Sequence, residues 1–236
     1  MKSNSEIKEQ AKQLLKGNWG NAVLLNLIPT LLLIGIILLV VPPLLTISAF
    51  NLDSMTSLPD TMNQQTPSNQ HTSIQFFGNL LGTFFSLAVS WTFLDMLRGK
   101  KQAIVPFKDA FRTFNATFAL PIVILYVLTS IFQTLWLLLF VIPGLIKAYS
   151  YAQTYTIFYD TYQHTGEKMG YLASITASRK LMHGYKWKLF LLDLSFIGWH
   201  ILALATAGIG YLWLTPYIRA SRIVFYDNLP KELAAS

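Results

Sequence analysis

The sequence predicts an all-α polytopic membrane protein, and three observations carry that prediction: a shortage of charge, apolar runs of bilayer length, and basic residues gathered into a few segments. Of 236 residues, 53% are hydrophobic and 12% charged, with a mean hydropathy of +0.44. A soluble domain is about as apolar but about a quarter charged. Leu24 to Val41 is apolar apart from Asn26, Pro29 and Thr30, and the greasy stretch from Ala22 to Phe50 exceeds the roughly 20 residues that span a bilayer core. It is too long for a signal-peptide core, its basic leader carries Glu6 and Glu9, and no small-x-small cleavage pattern follows, so it is read as a retained span.

Further spans are expected at Ile74 to Leu97, Thr117 to Phe140, Ile142 to Tyr159, Trp187 to Thr206 and Gly210 to Tyr226, making six. Lys2, Lys8, Lys12 and Lys16 precede the first, and the next basic residue is Arg98 at the far end of the second. Arg98, Lys100, Lys101, Lys108 and Arg112 fill the second-to-third connection. Lys168, Arg179, Lys180, Lys186 and Lys188 fill the fourth-to-fifth, and Lys231 stands in the tail. All these clusters fall on one side, which the positive-inside rule makes the cytoplasm, with both termini there. The segment Asn51 to Ser73 is polar, carries only the acids Asp53 and Asp60, and reads as an external loop. The net charge of +7 is therefore explained by topology, and no nucleic-acid partner is expected. The absence of cysteine excludes disulfides, zinc–thiolate sites and thiol nucleophiles.

Three even-numbered spans end alike, on Phe93-Leu94-Asp95, Phe158-Tyr159-Asp160 and Phe225-Tyr226-Asp227, at intervals of 65 and 67 residues. A shift of 67 also places Ala110 and Arg112 on Ala177 and Arg179, and Ile142 and Leu145 on Ile209 and Leu212. The expected unit is a short amphipathic interfacial helix followed by a transmembrane hairpin, repeated three times in parallel: about 3–99 with the external loop 51–73, about 104–163, and about 168–229, ahead of a short tail, 230–236. The amphipathic faces read as Ile7, Ala11, Leu14 and Leu15, then Phe107, Ala110, Phe111 and Phe114, then Met169, Ala173, Ala177 and Leu181. Such helices with basic flanks are expected in the headgroup layer.

An acid at a helix C-terminus opposes the macrodipole, so Asp95, Asp160 and Asp227 need partners. Arg112 and Arg179 are the expected ones. The Phe and Tyr beside each acid suit the aromatic belt.

"LLKGNWG" at Leu14 to Gly20, "IPGLIKAYSYAQTYTIFYD", "ASRKLMHGYKWKLFLLDLSFIGWHIL", "GIGYLWLTPY" and "FYDNL" together resemble the bacterial integral-membrane family catalogued as domain of unknown function 975. The likeness runs from about Ile7 to Leu229, interrupted by the Asn51 to Ser73 loop. It implies a six-span protein of the bacterial plasma membrane and supplies no activity. This sequence has His200 in "FIGWHIL", where the family pattern more often has an apolar residue.

Catalytic patterns are missing: no H-E-x-x-H, no phosphate-cradling glycine loop and no G-x-S-x-G elbow occur. His71, His164, His183 and His200 are scattered without metal-ligand spacing, so no metal, cofactor or enzyme activity is expected. Ionisable groups inside apolar runs mark either a structural pair or a pathway. Asp193 lies about two turns into the fifth span, and Arg219 and Arg222 share one face within the last two turns of the sixth, so an ion pair across the last hairpin is easy. The sharper reading is an anion site built from the same three residues. Lys147, a turn past Pro143-Gly144, reads as an outer-side charge that snorkels to headgroups. Tyr151, Tyr155, Tyr159 and Tyr162 form a stripe of the kind that packs helices or, alternatively, lines a ligand cage.

Two functions from different classes fit these residues. One is a non-catalytic membrane module that binds anionic lipid or docks a membrane-protein partner through its basic helices. The other is a transporter or flippase for a small anionic solute or lipid headgroup, using Arg219, Arg222, Asp193 and Lys147. The sequence is silent on oligomeric state.

Overall fold

A computed structural model describes residues 1–32, 35, 39 and 69–230, and all its regular structure is helical, with no strand among the described residues. Most of the expected first span, the polar loop up to residue 68 and the tail from Lys231 lie outside them. Helix α1, Asn4–Leu15, starts with a capping box: the Glu6 amide donates to Ser3 Oγ at 3.3 Å and the Ser3 amide to Glu6 Oε2 at 2.6 Å. Ile7, Ala11 and Leu15 are wholly buried, and the helix packs against α11, Tyr211–Asp227. The apolar face expected in the headgroup layer is therefore covered by protein.

Helix α2, Trp19–Leu32, is apolar. Helix α3, Asn69–Leu97, begins five residues inside the stretch read as loop, and its lower half carries much of the core, with Trp91, Phe93 and Leu94 fully buried. The second amphipathic helix shrinks to α4, Pro106–Ala110, and a single 3-10 turn, Arg112–Phe114. Asp109 folds back to accept from the Val105 amide at 2.8 Å, and Asn115 accepts from the Phe118 amide at 3.0 Å. Side chains thus compete with the helix ladder at both ends of this short segment. Of the predicted face only Ala110 is buried; Phe107, Phe111 and Phe114 stay exposed.

Helices α5, Ala119–Leu139, and α6, Val141–Tyr151, form a tight hairpin turned at Phe140. A Cβ on Gly144 would lie 2.5 Å from Leu137 Cδ2 and 3.1 Å from its Cα, so only glycine admits this approach. Gln133 Nε2 clamps it by donating to the Gly144 carbonyl at 2.7 Å. The fourth run then breaks at Ala152 and Gln153, and α7, Thr154–Thr165, continues it. Helix α8, Tyr171–Leu181, doubles back along α7 and α6. Its buried residues are Ser174, Ile175, Ala177, Ser178 and Leu181, while Ala173 is exposed, so the buried face is rotated from the one predicted. Helices α9, Lys186–Leu194, and α10, Ile197–Ala205, lead up to α11.

By length and composition, three helical stretches among the described residues can cross a bilayer: Gln75–Leu97, Ala119–Leu139 and Lys186–Ala205. The six expected from hydropathy reduce to three because α6 and α7 break the fourth run, α11 has 17 residues with two arginines, and the first run lies mostly outside the described residues. Much of the apolar surface left exposed lies on α5, α6, α9 and α10, including Leu138, Ile142, Leu194, Ile201 and Leu204, as a lipid-facing surface requires.

Replacing Gly144 by valine overpacks the α5–α6 hairpin against the Leu137 backbone. Thermal unfolding of the purified protein in detergent should show a loss of about 1–3 kcal/mol; an unchanged melting profile would mean that the close approach is not maintained.

Candidate functional site

The three repeat-end acids are all partnered, and their partners come from other helices. Arg112 Nη2 donates to Asp95 Oδ2 at 2.7 Å and to Tyr159 Oη at 2.6 Å, while Nη1 donates to Thr92 Oγ1 at 3.2 Å. The Tyr159 hydroxyl in turn donates to the Asp95 carboxylate, 2.8 Å from Oδ2. Trp91 stacks on the Tyr159 ring at 4.4 Å, which fixes the hydroxyl in place. Arg112 is the partner expected from the sequence.

Arg179 is not. Asp160 is held instead by Arg98, whose Nη1 bonds Oδ1 and whose Nη2 donates to Oδ2 at 2.9 Å. The same guanidinium reaches Asp227 Oδ1 through Nε at 3.3 Å and Nη2 at 3.4 Å. Tyr226 donates to Asp160 Oδ2 at 2.6 Å, and His164 Nε2 lies 3.3 Å from Asp160 Oδ1. Asp160, through hydrogen bonding and charge, holds the Arg98 guanidinium above its ordinary pKa. The signal for Arg98 was in the sequence, since it lies one turn past Asp95 at the end of an apolar helix. Its reach to two acids on two other helices was not.

The aromatic part of the motif behaves regularly. Tyr159 of the second triplet bonds Asp95 of the first, and Tyr226 of the third bonds Asp160 of the second. The first triplet has Leu94 where the others have tyrosine, and Asp227 takes Arg98. The remaining tyrosines of the stripe pack: Tyr155 Oη lies 3.2 Å from Thr129 Oγ1, Tyr162 meets Phe118 edge-on at 5.1 Å, and Tyr151 meets Phe132 at 6.4 Å.

The second group of predicted residues divides. Arg222 grips Asp193 with both ends of its fork, Nε to Oδ1 at 3.0 Å and Nη2 to Oδ2 at 2.9 Å, and Tyr149 donates to Asp193 Oδ2 at 3.3 Å. Arg219 does not join them. Its Nη1 donates to the Ser86 carbonyl at 3.1 Å and to the Ser86 hydroxyl, and its Nε is buried without a partner. Both arginines border a cavity of about 1130 Å³ between α3, α6–α7, α9–α10 and α11. Asn79, Thr83, Ser86 and Ser90 line it from α3. Their spacing of four, three and four is a polar stripe on one helix face, legible in the sequence as a break in an otherwise apolar run. His200 also borders this cavity, with Nδ1 3.3 Å from Tyr211 Oη.

Lys147, expected as an outer-side charge, shares a cavity of about 760 Å³ with Arg179, Lys180, His183 and Lys186, residues expected in the cytoplasmic connection. The cause is the course of α8: Ser178 Oγ donates to the Ser150 carbonyl at 2.8 Å and accepts from the Gln153 amide at 3.2 Å, which brings the end of α8 to the level of Lys147. The Lys147 ammonium lies 4.3 Å from the centre of the Trp136 ring. None of these four cations has a carboxylate within ion-pair distance among the described residues.

Buried ion clusters joined to long, lipid-facing apolar helices define an all-helical membrane protein. The chain belongs to the family described as protein of unknown function (DUF975), which matches residues 1–155 and 137–232. No curated protein and no solved structure is significantly similar to it.

Removing the Arg98 side chain leaves Asp160 buried beside a second carboxylate. Arg98→Ala should therefore cost about 3–5 kcal/mol of stability, and Tyr159→Phe, which removes one donor, about 1–3 kcal/mol. Unfolding in detergent reads both, and Arg98→Lys should recover only part of the loss because an ammonium cannot fork between two acids.

Proposed function

We propose that this chain is a non-catalytic integral protein of the bacterial plasma membrane that holds anionic lipid headgroups against its basic face. One observation carries the reading: Lys147, Arg179, Lys180 and Lys186 border one cavity, and none of them has a carboxylate within ion-pair distance among the described residues. Each basic residue near an anionic leaflet gains about 1 kcal/mol, and a cavity that gathers four offers a phosphate several charge-assisted hydrogen bonds at once. Trp187, exposed beside the cavity residue Lys186, suits the headgroup level. Docking of a membrane-protein partner would use the same charges.

The topology that goes with this function keeps both termini and the cation-rich connections on the cytoplasmic side, with the chain organised as three parallel units. The tyrosine-to-acid bonds, which pass from one unit to the next over 64 and 66 residues, support the repeat.

Two measurements test the proposal. Native mass spectrometry of the purified chain should show phosphatidylglycerol retained over phosphatidylcholine, and a variant combining Arg179→Gln, Lys180→Gln and Lys186→Gln should lose that preference by about tenfold. An undiminished preference refutes the site. Single cysteines replacing Lys101 and Lys168 should label with an impermeant thiol reagent from the same side of sealed vesicles; labelling from opposite sides refutes the topology.

A further inference from the structure

We infer that the polar cavity beside α3 and α11 is a second, separate binding site, built for one mono-oxyanionic group, a carboxylate or a phosphodiester, with Arg219 as its anchor. This goes beyond headgroup contact at the basic cavity, since α3, α11 and other charges are involved.

The charges within the cavity leave one positive unit over. Arg219 and Arg222 are cations and Asp193 is an anion. Arg222 occupies both carboxylate oxygens of Asp193, at 3.0 and 2.9 Å, which neutralises that pair. Arg219 is left with a neutral partner, Ser86, and no carboxylate within ion-pair distance among the described residues. A guanidinium carries five N–H donors in a fixed fork. Here one of them, Nε, is buried with nothing to accept it. An unpaired charge and an unmet donor are both costly away from water. Water can satisfy the donor but cannot cancel the charge, whereas a single oxyanion does both, and the planar fork matches its two oxygens. A dianion would overshoot by one charge.

The surroundings suit such a group. The space is about 1130 Å³, larger than an acetate needs and enough for a lipid headgroup with its glycerol. Its α3 wall grades from exposed Asn79 to half-buried Ser86 and Ser90, a polar path from the mouth towards Arg219. Thr83 and Ser90 hydroxyls now donate to carbonyls one turn back, at 2.8 and 2.9 Å, and can rotate to a ligand without moving the helix. Pro216 supports the placement of Arg219: it lies inside α11, where its missing N–H and its ring disturb the ladder just before the arginine turns towards α3.

The test uses the full chain in a non-ionic maltoside detergent at constant ionic strength, with chloride as the reference anion and thermal unfolding as the readout. Acetate probes a free solute, phosphatidylglycerol a lipid phosphodiester, and sulfate a dianion. Acetate or phosphatidylglycerol at about ten times its dissociation constant should raise the midpoint by about 3–5 °C over chloride, sulfate should not, and Arg219→Gln should abolish the rise. A response to phosphatidylglycerol alone makes the ligand a lipid, and a response to acetate as well makes it a solute. The variant neutralised at Arg179, Lys180 and Lys186 should keep the acetate response, which separates failure here from failure of the basic cavity. Where Arg219→Gln does not fold, Asp193→Asn decides: freeing Arg222 raises the cavity to two positive charges, and sulfate should then stabilise. Wild-type protein indifferent to both mono-oxyanions, or Asp193→Asn indifferent to sulfate, overturns the proposal.

Discussion

Arg98 is the point at which three segments of the chain are tied together. It leaves the end of α3, grips Asp160 at the end of the fourth apolar run and reaches Asp227 at the end of the sixth. Its side chain is 14% exposed and that of Asp160 9%, so neither charge can find its compensation in bulk water. A buried pair of this kind contributes little net stability over an apolar substitute, but a broken one is costly, so it specifies a unique arrangement more than it strengthens it. Lateral order among helices is otherwise weakly specified in lipid, where every apolar face is equally well solvated. An ion cluster at one end of the bundle removes that ambiguity.

The second constraint is the route of α8. Hydrogen bonds of Ser178 with the backbone at Ser150 and Gln153, at the break between α6 and α7, hold it against those helices. The break leaves backbone groups free, and a serine from the neighbouring helix meets them, as backbone at membrane depth requires. One local defect in a helix therefore gathers the cations of two distant segments into one cavity.

The two cavities differ in the way their charges are left. In the basic one, several flexible and partly exposed cations stand together, which suits a mobile surface ligand. In the other, the ion pair of Asp193 and Arg222 isolates Arg219 by consuming the one acid among the described residues that line it. Exchange of partners would have paired Arg219 with Asp193, as spacing on one helix face allowed. Their separation depends on Ser86 lying on α3, which meets the Arg219 side of α11.

Membrane class, helical content, the anchoring of the acids by arginine, the Asp193 to Arg222 pair and the family were all legible in the sequence. Each rests on local composition, on spacing along one helix, or on ordered motifs. The amphipathic faces were legible only in part: Ile7, Ala11 and Leu15 do form one face, but periodicity cannot say whether lipid or protein covers it. The choice of Arg98 over Arg179, the meeting of Lys147 with the α8 cations and the isolation of Arg219 depend on how helices far apart in the chain pack. The sequence by itself determined which residues must escape lipid, because the cost of exposing a charge to hydrocarbon belongs to the residue. Only the tertiary structure decided with whom each one escapes, because a partner is selected by distance and angle between helices, and those are set by the whole packed bundle.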